Sequence, residues 1–183
     1  LHLLRHAFSR PACAAQLMPH TKIICIGSPF GDDQFGAWAY EQLRVLIDAN
    51  AAELLYLDRP GTRLIGALDG VDNLILIDAV KSGAAIGTVL RIEGEDIYRH
   101  LTRHTSTHGF GVADALKLAQ HLGKLPSSAI LLGVEVGITD VAAPMSESMR
   151  AAFPNLLQAL QDLAIGFDAG KHAGATISET TIP

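Results

Sequence analysis

The sequence has few of the features that mark secreted, membrane-spanning or nucleic-acid-binding proteins. Its 183 residues contain only two cysteines, which excludes a disulfide framework and favours a reducing compartment such as the cytoplasm. No apolar run approaches the roughly 20 residues that a membrane-spanning helix needs. The net charge is −5 and basic residues do not cluster, so nothing predicts binding to nucleic acid or to an anionic membrane.

The motifs of several enzyme classes are also missing. The glycine-rich segment 27–36 lacks the Gly-x-Gly-x-x-Gly and Gly-Lys-Ser/Thr patterns of nucleotide-binding loops, and its paired aspartates would repel a phosphate. No Gly-x-Ser-x-Gly sequence indicates a serine hydrolase. No Cys-x-x-Cys or His-Glu-x-x-His sequence indicates a zinc site.

Short apolar runs alternate with amphipathic segments along most of the chain. Hydrophobic residues make up 49% of the sequence and charged residues 18%, which indicates one folded domain with a sizeable core. The alternation predicts a three-layer α/β/α fold, a mostly parallel twisted sheet of about five strands with helices on both faces. Strands are expected at residues 23–26, 53–57, 74–77, 88–92 and 129–134, and helices at 34–48, 62–68, 112–122 and from 146 onward.

The extent of the domain is predicted from the same periodicity. Residues 1–20 are expected to form an irregular N-terminal tail, 21–165 a single α/β domain, and 166–183 a flexible C-terminal tail. Ser146 is expected to cap the last helix, and Pro154 should kink or split it.

Three polar residues stand where an open α/β sheet exposes its functional side chains. Asp33 follows the first strand, Asp78 ends the strand at 74–77, and His108 lies in the loop before the helix at 112–122. Ligands bind beyond the carboxyl ends of parallel strands, so these side chains are predicted to meet at one edge of the sheet. Two carboxylates and an imidazole suit metal binding or acid–base chemistry.

Each of these residues also has a structural interpretation. One of Asp32 and Asp33 is expected to cap the helix that follows, and Asp32 is the better cap because it comes earlier, which leaves Asp33 for chemistry. Asp78 alternatively caps the loop after its strand. His104 competes with His108, because both lie in the same loop.

Four segments, in their order and spacing, resemble the [NiFe]-hydrogenase maturation endopeptidases. The matching segments are residues 26–36, 76–80, 107–116 and 132–135. The resemblance implies that Asp33, Asp78 and His108 form the metal-binding and catalytic site. Two departures, a shortened first loop and Val136-Gly137 in place of a usual proline, indicate a divergent subgroup.

This resemblance implies a hydrolase, an endopeptidase that removes the C-terminal extension of the hydrogenase large-subunit precursor after nickel insertion. The protein would hold no permanent metal or other cofactor, because the nickel arrives with the substrate. Its expected partner is the large-subunit precursor, and its expected location is the cytoplasm.

Two other functions stay open at this point. A non-catalytic, nickel-sensing chaperone that binds the large subunit would use the same three ligands. A nucleoside hydrolase or phosphorylase on a similar fold would need basic residues near the site, and only Lys81 and Arg103 are candidates.

Overall fold

A computed structural model describes residues 19–102, 110–137, 140 and 142–167. Within this part of the chain, five strands form one sheet in the order β2-β1-β3-β5-β4. The first four in that order run parallel, and the edge strand β4 runs antiparallel to β5. The strands are β1 (Thr21–Gly27), β2 (Glu53–Asp58), β3 (Asn73–Val80), β4 (Val89–Glu93) and β5 (Ser128–Glu135). The predicted three-layer, mostly parallel fold is confirmed.

Helices pack on both faces of the sheet and divide the core into two clusters. Along β1, Ile23 and Cys25 belong to one cluster, whereas Ile24 and Ile26 belong to the other. A strand that is buried on both faces needs apolar residues at every position, which explains its continuous apolar run. One face carries α1 (Phe35–Leu43), α5 (Glu147–Ala151) and α6 (Phe153–Asp162), and the other carries α2 (Arg63–Ala67), α3 (Glu95–Thr102) and α4 (Val112–His121).

The helices differ from the sequence-based expectation in three respects. The first helix begins with a 3-10 turn at Gly31–Gln34, and α1 ends at Leu43 rather than at residue 48. Helix α3 was not predicted. Ser146 occupies the N-cap position of α5, but its hydroxyl makes no capping hydrogen bond. The expected break near Pro154 is confirmed, because α5 and α6 are separate helices with that proline in the first turn of α6.

The described chain stays attached to the body of the domain up to its last residue. Phe167 forms a bridge with Ile47, and the N–H of Asp48 donates to the carbonyl oxygen of Gly166 at 3.2 Å. Residues 1–18 and 168–183 lie outside the described part, so the two tails stay a prediction. No described helix has the length and apolarity that a bilayer crossing requires.

Candidate active site

The turn between β1 and α1 carries Asp33 to the carboxyl end of the sheet. The N–H of Asp33 donates to the carbonyl oxygen of Phe30 at 3.0 Å, and the N–H of Ser28 donates to the carbonyl oxygen of Asp33 at 3.2 Å. These bonds close a compact turn directly after the strand. These backbone hydrogen bonds therefore hold the α-carbon of Asp33 near the ends of β1 and β3.

The Asp33 carboxyl is half-buried, and its surroundings favour proton uptake. Burial is the largest effect and raises its pKa, and the nearby charge of Asp58 acts in the same direction. A hydrogen bond from Ser28 and the charge of Arg59 oppose that rise without cancelling it. An acidic group of raised pKa in such a position suits a general base or a metal ligand.

Asp78 lies inside β3 rather than at its end, which corrects the expected position. The strand continues to Val80, and Asp78 stands opposite Gly133 of β5 in the register. Only 9% of Asp78 is exposed, and the backbone N–H of Ala79 donates to its Oδ1 at 2.9 Å. Burial, and then the charge of Asp33, hold the pKa of Asp78 well above its usual value, although the Ala79 hydrogen bond opposes them.

The structure therefore brings together two of the three predicted site residues. Asp33 and Asp78 lie close enough for the charge of Asp33 to raise the pKa of Asp78. Two partly desolvated carboxyls that repel one another are stabilised by a cation or by a shared proton. His108 and its competitor His104 lie outside the described residues. Among the residues that are described, no three His, Cys, Asp or Glu side chains form a group that could hold a metal ion.

Asp32 has a different role from the one expected. It is fully buried, and its carboxylate accepts the N–H of Gly137 at 2.9 Å on Oδ2 and the N–H of Ser146 at 2.8 Å on Oδ1. The side chain thus ties the segment after β5 to the start of the first helix. Asp32 is therefore not the N-cap of the first helix, which corrects that expectation, and the assignment of Asp33 to chemistry stays a prediction.

Glu135, the last residue of β5, holds the loop at Ser82 and Gly83 that follows β3. Its carboxylate accepts the N–H of Ser82 at 2.7 Å, the hydroxyl of Ser82 at 2.6 Å and the N–H of Gly83 at 3.0 Å. Burial alone would raise the pKa of Glu135, but hydrogen bonds from Ser82, Gly83 and Ala84 outweigh it and hold the pKa below its usual value.

Sequence reasoning missed the ion pair at the end of β2. Arg59 donates to both carboxylate oxygens of Asp58, at 2.6 Å from Nε and 3.0 Å from Nη2, and its guanidinium lies 5.5 Å from the centre of the Phe30 ring. Both charges act on Asp33. The only sequence signal was an Asp-Arg-Pro-Gly turn directly after a strand, which does not specify where its side chains point.

A protein-family comparison matches the core of this chain. The model of the HycI family, described as hydrogenase maturation protease, matches residues 58–163, which is more than half of the 183 residues. The match includes Asp78 and both histidine candidates. It begins after Asp33, so it carries no information on that residue.

Curated relatives carry related descriptions. The hydrogenase 2 maturation protease of Escherichia coli is 30% identical over 135 residues, which cover 69% of this chain and 79% of that protein. The hydrogenase expression/formation protein HupD of Thiocapsa roseopersicina is 29% identical over 171 residues, which cover 90% of this chain and 77% of that protein.

Solved structures share the fold. The hydrogenase maturating endopeptidase HybD from Escherichia coli superimposes with a TM-score of 0.70 at 24% identity, covering 81% of this chain and 96% of HybD. The [NiFe] hydrogenase maturation protease HycI from Thermococcus kodakarensis gives a TM-score of 0.64 at 22% identity, covering 79% and 91% of the two chains.

Proposed function

This chain belongs to the hydrogenase maturation protease family, and we propose that it removes the C-terminal extension of a [NiFe]-hydrogenase large-subunit precursor after nickel insertion. The family identifies the chain as an endopeptidase. The proposal adds the substrate, the bond at the C-terminal extension and the requirement for nickel. We also propose that the reaction takes place in the cytoplasm.

The observation that carries the proposal is that two carboxyls, Asp33 and the buried Asp78, lie at the carboxyl end of the sheet, where the charge of Asp33 raises the pKa of Asp78. Burial raises the pKa of both groups, and the charge of Asp33 adds to the rise at Asp78, so a cation brought between them would be stabilised by both carboxylates. Carboxylate oxygens together with one imidazole suit a borderline ion such as Ni²⁺. We assign the imidazole to His108.

Two chemical routes follow from this assignment. Nickel held by the substrate and by the three side chains would polarise the scissile carbonyl and make it easier for water to attack. Alternatively, Asp33 or Asp78 would accept a proton from the attacking water, which a carboxylate of raised pKa does well near neutral pH. Both routes use the same residues.

We propose that the nickel belongs to the substrate and that the protease holds no permanent metal or other cofactor. Three protein ligands form an incomplete shell, and tight permanent sites usually have four or more. The open positions would be filled by groups of the large subunit. Recognition of the substrate would therefore depend on whether its nickel has been inserted.

The test uses one precursor in two states. The purified protein is incubated with nickel-loaded or nickel-free large-subunit precursor, and the masses of both products are measured. We expect a single C-terminal peptide from the nickel-loaded precursor and none from the nickel-free one. Equal cutting of both, or of casein, contradicts the nickel requirement. Stable binding to the loaded precursor without cleavage contradicts the protease assignment for this substrate.

A further inference from the structure

Arg59 adopts a backbone conformation that side chains rarely take. Its φ is +39°, and among the described residues other than glycine only Ala164, at +57°, shares a positive φ. In this region the β-carbon crowds the backbone, so a residue that keeps the conformation needs a reason. Such outliers concentrate at functional sites when ordinary turn or capping geometry does not account for them.

Capping geometry explains Ala164. The residue follows α6, its N–H donates to the carbonyl oxygen of Gln161 at 2.8 Å, and the N–H of Ile165 donates to that of Leu160 at 3.3 Å. This pair of bonds is the Schellman motif, which ends helices with a left-handed residue. Arg59 follows a strand, so no helix end explains its conformation.

The conformation of Arg59 fixes a guanidinium beside Asp33. The N–H of Arg59 donates to the carbonyl oxygen of Gly27 at 3.1 Å, which holds its backbone at the end of β1. The side chain pairs with both oxygens of Asp58 and lies over Phe30, yet it remains 61% exposed. An exposed cation that is held at two points is pre-organised to bind a further group.

The surrounding charges indicate which group that is. Asp58 neutralises Arg59, and the charge of Asp33 also acts on the guanidinium, so the local field disfavours a second carboxylate. A guanidinium has five N–H donors, of which two donate to Asp58. A neutral oxygen acceptor, such as a peptide carbonyl, matches this arrangement.

Apolar surface flanks the same turn. The Phe30 ring lies under the guanidinium of Arg59. A β-carbon at Gly61 would lie 3.8 Å from the backbone carbonyl oxygen of Phe110, a residue that is 44% exposed. The turn after β2 therefore presents hydrogen-bond donors beside the Phe30 ring and close to the backbone of Phe110.

We propose that Arg59 is a substrate-binding residue, and that its guanidinium donates hydrogen bonds to carbonyl oxygens of the precursor's peptide chain next to Asp33. This inference rests on the proposed function, because it assumes that the nickel-loaded precursor is the substrate. It adds a specificity residue outside the Asp33, Asp78 and His108 set.

The test compares two glycine substitutions and one charge control. Arg59→Gly and Ala164→Gly each place glycine at a left-handed position, so both variants should melt at or above the wild-type temperature. Arg59→Gly should raise KM for the nickel-loaded precursor about tenfold or more, because hydrogen bonds from a charged donor are lost. The fall in kcat should be smaller than the rise in KM, although loss of the Arg59 charge also raises the pKa of Asp33. Ala164→Gly should leave both constants unchanged.

Arg63→Gln separates a specific contact from general charge. Arg63 lies in the same region and donates to the backbone carbonyl oxygen of Asp58, whereas Arg59 pairs with the Asp58 carboxylate and its charge acts on Asp33. We expect the KM of Arg63→Gln to stay within about twofold of wild type. In a separate measurement, the KM of the wild-type protein should change little with salt concentration, because a hydrogen bond to a neutral acceptor is weakly screened.

An unchanged KM in Arg59→Gly overturns the proposal, as does an equal rise in Arg63→Gln. A KM that climbs steeply with salt overturns the carbonyl assignment. Failure of the wild-type protein to cleave the loaded precursor contradicts the proposed function instead, so the two failures are distinguishable.

Discussion

Gly36 of α1 lies directly against the carbonyl oxygen of Ile26, and a β-carbon at position 36 would be 1.9 Å from that oxygen. The contact is matched at Gly27, where a β-carbon would be 2.4 Å from the carbonyl oxygen of Asp33. Both neighbours are backbone atoms, which cannot turn aside as a side chain can. The two glycines therefore allow the helix to approach the end of β1 and fix the turn that carries Asp33.

Gly36→Ala should destabilise the protein by on the order of 3 kcal/mol, because the helix must move away from the strand. Gly66→Ala is the matched control, since nothing lies within 4 Å of a β-carbon at that helical position. The control should be unchanged or more stable by up to about 1 kcal/mol. Urea unfolding measures both variants. Equal stabilities for the two would show that the close approach at Gly36 is not needed.

Substitution of Asp32 should lower mainly stability, whereas substitution of Asp33 should lower mainly activity. Asp32→Asn should cost about 2 kcal/mol, because the amide nitrogen of asparagine would face the N–H of Gly137 or of Ser146, from which the buried carboxylate now accepts hydrogen bonds. Asp33→Asn should change stability by less than about 1 kcal/mol, because the group is half-buried, yet abolish processing. Thermal melts and precursor cleavage test the pair. Normal processing by Asp33→Asn would remove Asp33 from the site.

Glu135→Gln should weaken the protein in a pH-dependent way. The pKa of Glu135 is lower in the folded state, so its charged form contributes stability above the unfolded pKa of about 4.3. That contribution is lost as pH falls through the folded pKa. The stability difference between wild type and variant should thus be about 2 kcal/mol near neutral pH and shrink below about pH 4.

Glu93→Gln is the control for this pH series, since the Glu93 side chain is 54% exposed and lies on an edge strand. Its stability difference from wild type should stay below about 0.5 kcal/mol across the series. A difference for Glu135→Gln that does not depend on pH would contradict the role of its charge in holding the loop at Ser82 and Gly83.

His108 and His104, which precede α4 in the sequence, should differ in their effect on activity. His108→Ala should abolish processing, because the imidazole is assigned as the third ligand of the substrate's nickel. His104→Ala should process precursor at a rate within about twofold of wild type. Single-turnover cleavage measures both. The reverse order of the two rates would show that the ligand was assigned to the wrong histidine.

The strands could be predicted from the sequence because burial on both faces demands continuous apolar runs, as in 23–26 and 74–77. Helix α3 could not, because few of its residues reach the core and its sequence is mostly polar. Ile97 and Leu101 are its buried positions, and two apolar residues do not establish a helical period.

The candidate site was predictable only in part. Asp33 and Asp78 follow from the rule that ligands bind at the carboxyl ends of parallel strands. The partners of Asp32, Gly137 and Ser146, lie more than 100 positions away along the chain, and no local pattern encodes them. The left-handed backbone of Arg59 is likewise set by the fold around it, since its sequence neighbours allow several turns.

Cleavage is assigned to a site that contains Asp33 and Asp78, and Asp78→Asn tests this assignment most directly. Asparagine is nearly isosteric and carries no charge in this buried position, so the variant should be at least as stable as wild type. It is a poor nickel ligand and no base. The measurement is the single-turnover rate of peptide release from nickel-loaded precursor, which we expect to fall by at least about a thousandfold. Release at the wild-type rate by the folded variant would contradict the account.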